Sequence, residues 1–86
     1  MKRIIKDVDI SGLQALLGEN VLLMCANYFY TGKLTGVNDS FVELTDPSIV
    51  YETGSWSDRK YTNAEKMHTS KWYVQTAAIE AFGLGK

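Results

Sequence analysis

Arg59, Lys60, Tyr61, Lys66, His68, Lys71, Trp72 and Tyr73 interleave cations with flat rings. Single-strand nucleic-acid binders use that mixture, cations meeting phosphates while rings stack on bases. The blander reading of the same residues is a solvated hairpin. Upstream, Asp39 and Glu43 stand four apart, which on an extended strand puts both carboxylates on one face. Without a pocket or a partner base they read as turn and surface carboxylates, not as a catalytic dyad. Phe41 between them is placed either to stack on a base, a contact worth about 1–3 kcal/mol, or to serve a core or an interface. His68 is the only histidine and has neither a nucleophile nor a metal-ligand partner nearby, so a surface or strand position is expected. The single cysteine, Cys25, lies inside an apolar run and reads as a small buried hydrophobe. One cysteine excludes an internal disulfide. The closing Gly83-Leu84-Gly85-Lys86 lacks the spacer, the following Ser or Thr and the helix of a phosphate loop. No catalytic residue, metal site or cofactor is expected, and the chain does not read as an enzyme.

These residues must be carried by a small frame. The chain has 86 residues, 45% of them hydrophobic and 22% charged, which fits one globular domain over 1–86 with a real core. No apolar run approaches the roughly 18 residues of a membrane span, and Met1–Lys6 lacks the features of a secretory signal. A cytoplasmic address and no membrane partner are the expectation. Nine basic against ten acidic residues give a net charge of −1, which argues against binding nucleic acid by bulk electrostatics. The charge is unevenly spread: Leu34 to Asp58 holds five acids and no base, whereas Arg59 to Lys71 holds four bases and only Glu65.

The elements follow from periodicity and turn chemistry. Lys2 to Asp9 is compatible with a strand, a helix start or an arm. Ser11 as N-cap, Leu13, Leu16 and Leu17 at helical spacing and Gly18 as terminator predict an amphipathic helix of about two turns. Val21 to Ala26 is apolar throughout, as in a strand buried on both sides. Tyr28 to Val37 reads as a long second strand, curved where Gly32 and Gly36 interrupt it. Asn38-Asp39 is a turn, Phe41–Leu44 a third strand, and Asp46-Pro47 a bulge or edge before Ile49–Tyr51. Thr53 to Glu65 reads as a polar loop with Trp56 and Tyr61 as exceptions. Lys66–Val74 and Thr76–Phe82 are the predicted fourth and fifth strands, joined tightly at Gln75-Thr76, and Gly83 to Lys86 a frayed tail. The predicted class is α+β to mainly β: a short N-terminal helix on a strongly bent five-stranded antiparallel sheet, most simply a small open barrel.

Gly32-Lys33-Leu34-Thr35-Gly36-Val37-Asn38-Asp39-Ser40-Phe41-Val42-Glu43-Leu44, preceded by a leucine helix and an apolar strand, resembles the first motif of Sm-like proteins of the LSm and Hfq kind. The likeness spans about half the chain. It implies a homo-oligomeric ring, here of five to seven copies, in which the fourth strand of one subunit pairs with the fifth of the next. Trp72, Tyr73 and Val74 would supply one edge, and Ala78, Ile79 and Phe82 the other. It also implies single-stranded RNA as partner, with Asp39 and Phe41 retained at pocket positions; the basic and aromatic hairpin, read on its own residues, adds Arg59, Lys60 and Lys66 as candidate cationic contacts. The sequence departs from the family at three places. One extra residue stands between Gly36 and Asp39, the family's asparagine falls on Glu43, and its Arg-Gly pair on Gln75-Thr76. A carboxylate only accepts hydrogen bonds and repels phosphate, so the uridine pocket is non-standard or lost. The alternative is a ring-shaped scaffold of the same fold without nucleic acid. Edge pairing also has an independent motive, because a small sheet with two apolar edge strands is marginal and sticky alone.

Overall fold

The apolar run after Gly18 can only be a strand if both of its faces are covered, and in the structure both are. This computed structural model describes residues 12–86; the proposed Ser11 cap and the segment Lys2 to Asp9 lie outside the described residues. β1 (Asn20–Cys25) buries Val21, Leu22, Leu23 and Cys25. It pairs antiparallel with β2 (Phe29–Val37), which pairs with β3 (Phe41–Glu52). β4 (Asn63–Lys66) and β5 (Lys71–Gln75) pair with opposite halves of β3, and β6 (Ile79–Leu84) returns to β1. The order is β4-β3-β2-β1-β6, with β5 also on β3. The sheet bends but does not close.

Directly paired antiparallel residues point to the same side, so the register assigns the two faces. Val21, Leu23, Cys25, Leu34, Val42, Leu44 and Val74 form the core cluster. The other side carries Leu22 opposite Thr31, Met24 opposite Phe29, and Phe29 opposite Val50. Leu22 and Val50 are buried there, and Thr31 is too, its hydroxyl donating to the Val21 carbonyl at 2.8 Å.

β3 serves both faces because it carries an extra residue. Between Thr45 and Ser48 it advances three positions while β2 advances two, a bulge that Asp46 makes with φ of 51° and Pro47 tolerates without an amide donor. Gly32 faces this bulge. A Cβ there would lie 3.1 Å from the Thr45 carbonyl oxygen and 3.2 Å from Pro47 Cα, which is the close backbone approach that a glycine inside a strand signals.

Three expectations are corrected. The helix is a five-residue 3-10 turn, Gly12–Leu16. Its tighter winding aligns Leu13 and Leu16, three apart, on the core and leaves Leu17 48% exposed, and Gly18 ends the segment at φ 88°. Six strands form rather than five. The predicted fourth strand splits because its partner β3 is bulged: the Asp46 N–H donates to the Ser70 carbonyl and the Met67 N–H to the Pro47 carbonyl, both at 2.9 Å, and the connection 67–70 crosses the gap. The predicted fifth strand begins as a 3-10 turn, Thr76–Ala78, and only then becomes β6.

Candidate nucleic-acid interface and strand edges

The turn between β2 and β3 is built by its own asparagine. Asn38 Oδ1 accepts the N–H groups of Ser40 and Phe41 at 2.7 and 2.8 Å, the local bond that favours Asn in turns. Thr76 then ties this turn to the end of β5, its N–H donating to the Ser40 carbonyl and its hydroxyl to the Asp39 carbonyl, both at 3.0 Å. Asp39, Phe41, Gln75 and Thr76 therefore share one end of the sheet, although Asp39 and Gln75 are far apart in sequence.

Phe41 is 41% exposed, with its ring edge-on to that of Tyr73 at 5.5 Å. Beside them on the outer face lies a polar network. Glu43 Oε1 accepts from the Thr35 hydroxyl at 2.7 Å and Oε2 from the Tyr73 hydroxyl at 2.9 Å. Lys71 Nζ lies 3.4 Å from Glu43 Oε1 and donates to the Thr45 hydroxyl at 3.0 Å. Thr35 comes within reach because β2 bulges between Leu34 and Gly36. The Thr35 and Tyr73 hydrogen bonds, helped by Lys71, hold the Glu43 carboxyl below its usual range, and the same carboxylate raises the Tyr73 phenol. Chemically this face offers two exposed rings beside a carboxylate kept ionised.

The cationic candidates are elsewhere. Arg59 and Lys60 lie in the 53–62 loop, past the opposite end of β3, and Lys66 pairs with Ser48 midway along that strand. All three are exposed. The structure thus brings Asp39 and Phe41 together, and leaves Arg59, Lys60 and Lys66 apart from them.

Among the edge candidates, Val74 is 5% exposed and belongs to the core. Trp72 is half-buried against the core, 6.4 Å from the Tyr30 ring. On β5 these two contribute backbone to the open edge rather than side chains, while Tyr73 points outward and is 55% exposed. Ala78 lies exposed in the second 3-10 turn, Ile79 packs on the core, and Phe82 is 44% exposed on β6. A groove of about 370 Å³ opens between β5 and the end of β1, lined by Cys25, Tyr28, Tyr30, Trp72, Gln75 and Ala78 among others. Burial, with Glu80 nearby, raises the Cys25 thiol, which keeps it an inert apolar group.

The tail expected to fray is instead pinned. Lys86 Nζ donates to the carbonyls of Thr53 at 2.6 Å, Ser55 at 2.8 Å and Lys60 at 3.4 Å. The ammonium lies 5.7 Å from the Trp56 ring centre and 5.2 Å from that of Tyr61. Sequence reasoning missed both this anchor and the Glu43–Tyr73 pair; the only signal was the two aromatics in an otherwise polar loop. Among the described residues no group of three His, Cys, Asp or Glu is placed to hold a metal. No described helix is long and apolar enough to cross a membrane. No protein-family model, curated protein or solved structure matches the chain.

Proposed function

We propose that this chain is a divergent Sm-like subunit that assembles with copies of itself by pairing β5 of one with β6 of the next, and that the assembly binds single-stranded RNA at the Asp39–Phe41 end. The observation that carries the reading is that β5 pairs only with β3 and β6 only with β1, so that each leaves one free edge at opposite borders of one bent sheet. Unequal edges pair head to tail, and such a contact closes into a ring when the rotation permits. Exposed strand edges otherwise invite aggregation. At the RNA end, Phe41 and Tyr73 are the rings available for stacking. With Glu43 ionised beside them, base stacking rather than phosphate attraction dominates there.

Light scattering over a dilution series tests the assembly. The expected mass is a small multiple of 9.6 kDa, falling to one subunit for Ala81→Lys, which puts an edge-blocking cation on β6. A wild-type chain that remains a single subunit at every concentration removes the proposal. Titration with labelled oligo-U, oligo-A and mixed oligonucleotides tests the ligand. The Glu43 carboxylate favours a second reading, an oligomeric scaffold without RNA; an intact oligomer that binds no oligonucleotide at low salt, and whose protein partners survive nuclease, selects it.

A further inference from the structure

β1 is buried on a second face, and one ammonium group anchors the segment beside that face. Trp56 lines a small cleft with Leu22, Met24 and Ala81, and the loop that carries it returns to the sheet only at β4. Lys86 bonds three carbonyls of this loop, Thr53, Ser55 and Lys60. The backbone next to Lys86 is fixed to β1: the Gly85 N–H donates to the Asn20 carbonyl at 2.8 Å, and Asn20 Nδ2 to the Lys86 carbonyl at 2.9 Å. A Cβ at Gly85 would stand 2.9 to 3.1 Å from Asn20 Nδ2, the Thr31 hydroxyl and the Tyr61 hydroxyl, so a side chain there would have to displace the groups that hold this end of the chain.

We propose that the 53–62 loop is a receptor for a primary alkylammonium group, the head of a lysyl side chain, filled in cis by Lys86, and that its occupancy holds the loop over the β1–β6 face. Three carbonyl oxygens match the three N–H donors of an ammonium head. Rings within about 6 Å add attraction to the cation. A planar guanidinium presents its donors in a flat fork, and a quaternary ammonium has none; neither satisfies three converging carbonyls. No carboxylate is needed, and the one ion pair among the described residues is Lys71 with Glu43. Removing the Lys86 charge vacates the receptor, and a lysyl group from another chain has the chemistry to replace it.

Amide hydrogen exchange on the full chain tests this. Lys86→Ala is expected to speed exchange at Asp58, whose N–H donates to the Ser55 carbonyl at 3.0 Å, by roughly tenfold, the scale of one charge-assisted hydrogen bond, with Leu22 and Leu23 unchanged. Millimolar n-butylammonium should slow it again, and tetramethylammonium at equal ionic strength should not. Unchanged exchange in Lys86→Ala, no rescue by butylammonium, or equal rescue by both cations overturns the proposal. If Lys86→Ala loses protection at Leu22 and Leu23 as well, proton NMR of the wild-type chain decides. The Lys86 Hε protons should lie upfield of those of the other lysines and move part of the way back with Trp56→Leu, the Tyr61 ring remaining; wild-type Lys86 protons at the ordinary lysine position overturn it. The outcome is independent of whether RNA binds.

Discussion

The Tyr73 hydroxyl donates to Glu43 Oε2 at 2.9 Å across the β3–β5 pair, and this bond shifts both groups in opposite directions. Glu43 is lowered, by the Thr35 hydroxyl first and the Tyr73 hydroxyl second, and Tyr73 is raised by the carboxylate. A lowered carboxyl stabilises the fold above its unfolded pKa and loses that contribution as pH falls through the folded value. A raised phenol contributes fully below its unfolded pKa and loses it as pH rises through the folded value. Tyr73→Phe should therefore flatten stability against pH on both the acid and the alkaline limb, and Glu43→Gln likewise. Urea midpoints measured across the pH range check it; parallel wild-type and Tyr73→Phe curves would refute the coupling.

Gly32→Ala should destabilise by about 1–3 kcal/mol, as overpacking does. The new methyl meets backbone at Thr45 and Pro47 and the Leu44 Cβ at 3.3 Å, none of them the far end of a flexible chain. Gly83→Ala on β6 has nothing within 4 Å; its stability should hold or rise by up to about 1 kcal/mol. Chemical denaturation of the two variants side by side gives the comparison.

The two ends of β3 should separate in binding assays. Phe41→Ala removes a stacking ring and should weaken oligonucleotide binding by roughly 5- to 160-fold, the equivalent of about 1–3 kcal/mol. Arg59→Ala with Lys60→Ala leaves that end untouched and should instead make the salt dependence shallower, the slope of log affinity against log salt falling by about 0.7 for each phosphate no longer neutralised. Titrations at several salt concentrations distinguish these patterns, and a Phe41→Ala chain with wild-type affinity would place the RNA elsewhere.

What is legible in the sequence is local. Val21 to Cys25 declares burial on both faces by lacking any polar residue. Gly32 marks a point where the strand bends or another backbone comes close, and Asp46-Pro47 a bulge or an edge, because each leaves a backbone constraint that needs no partner to be read. β4 escapes because Asn63–Lys66 is exposed throughout and has no apolar alternation to show. The helix differs from its expectation since Leu13, Leu16 and Leu17 satisfy a 3.6-residue period and nearly satisfy one of three. Asp39 and Phe41 can be singled out from their motif, but their meeting with Thr76 and Tyr73 depends on the β3–β5 register, a long-range pairing that no local pattern fixes. Lys86 is invisible for a simpler reason: its partners are main-chain carbonyls, which every residue owns.

The extra residue at Asp46-Pro47 has an effect beyond geometry. It changes the parity of β3, so that Val42 and Leu44 belong to the layer under the 3-10 turn and Val50 to the one on the opposite side. A single strand is thus the common wall of two apolar compartments. Neither compartment can be emptied without pulling that wall out of the other, so a molecule this thin melts as one body.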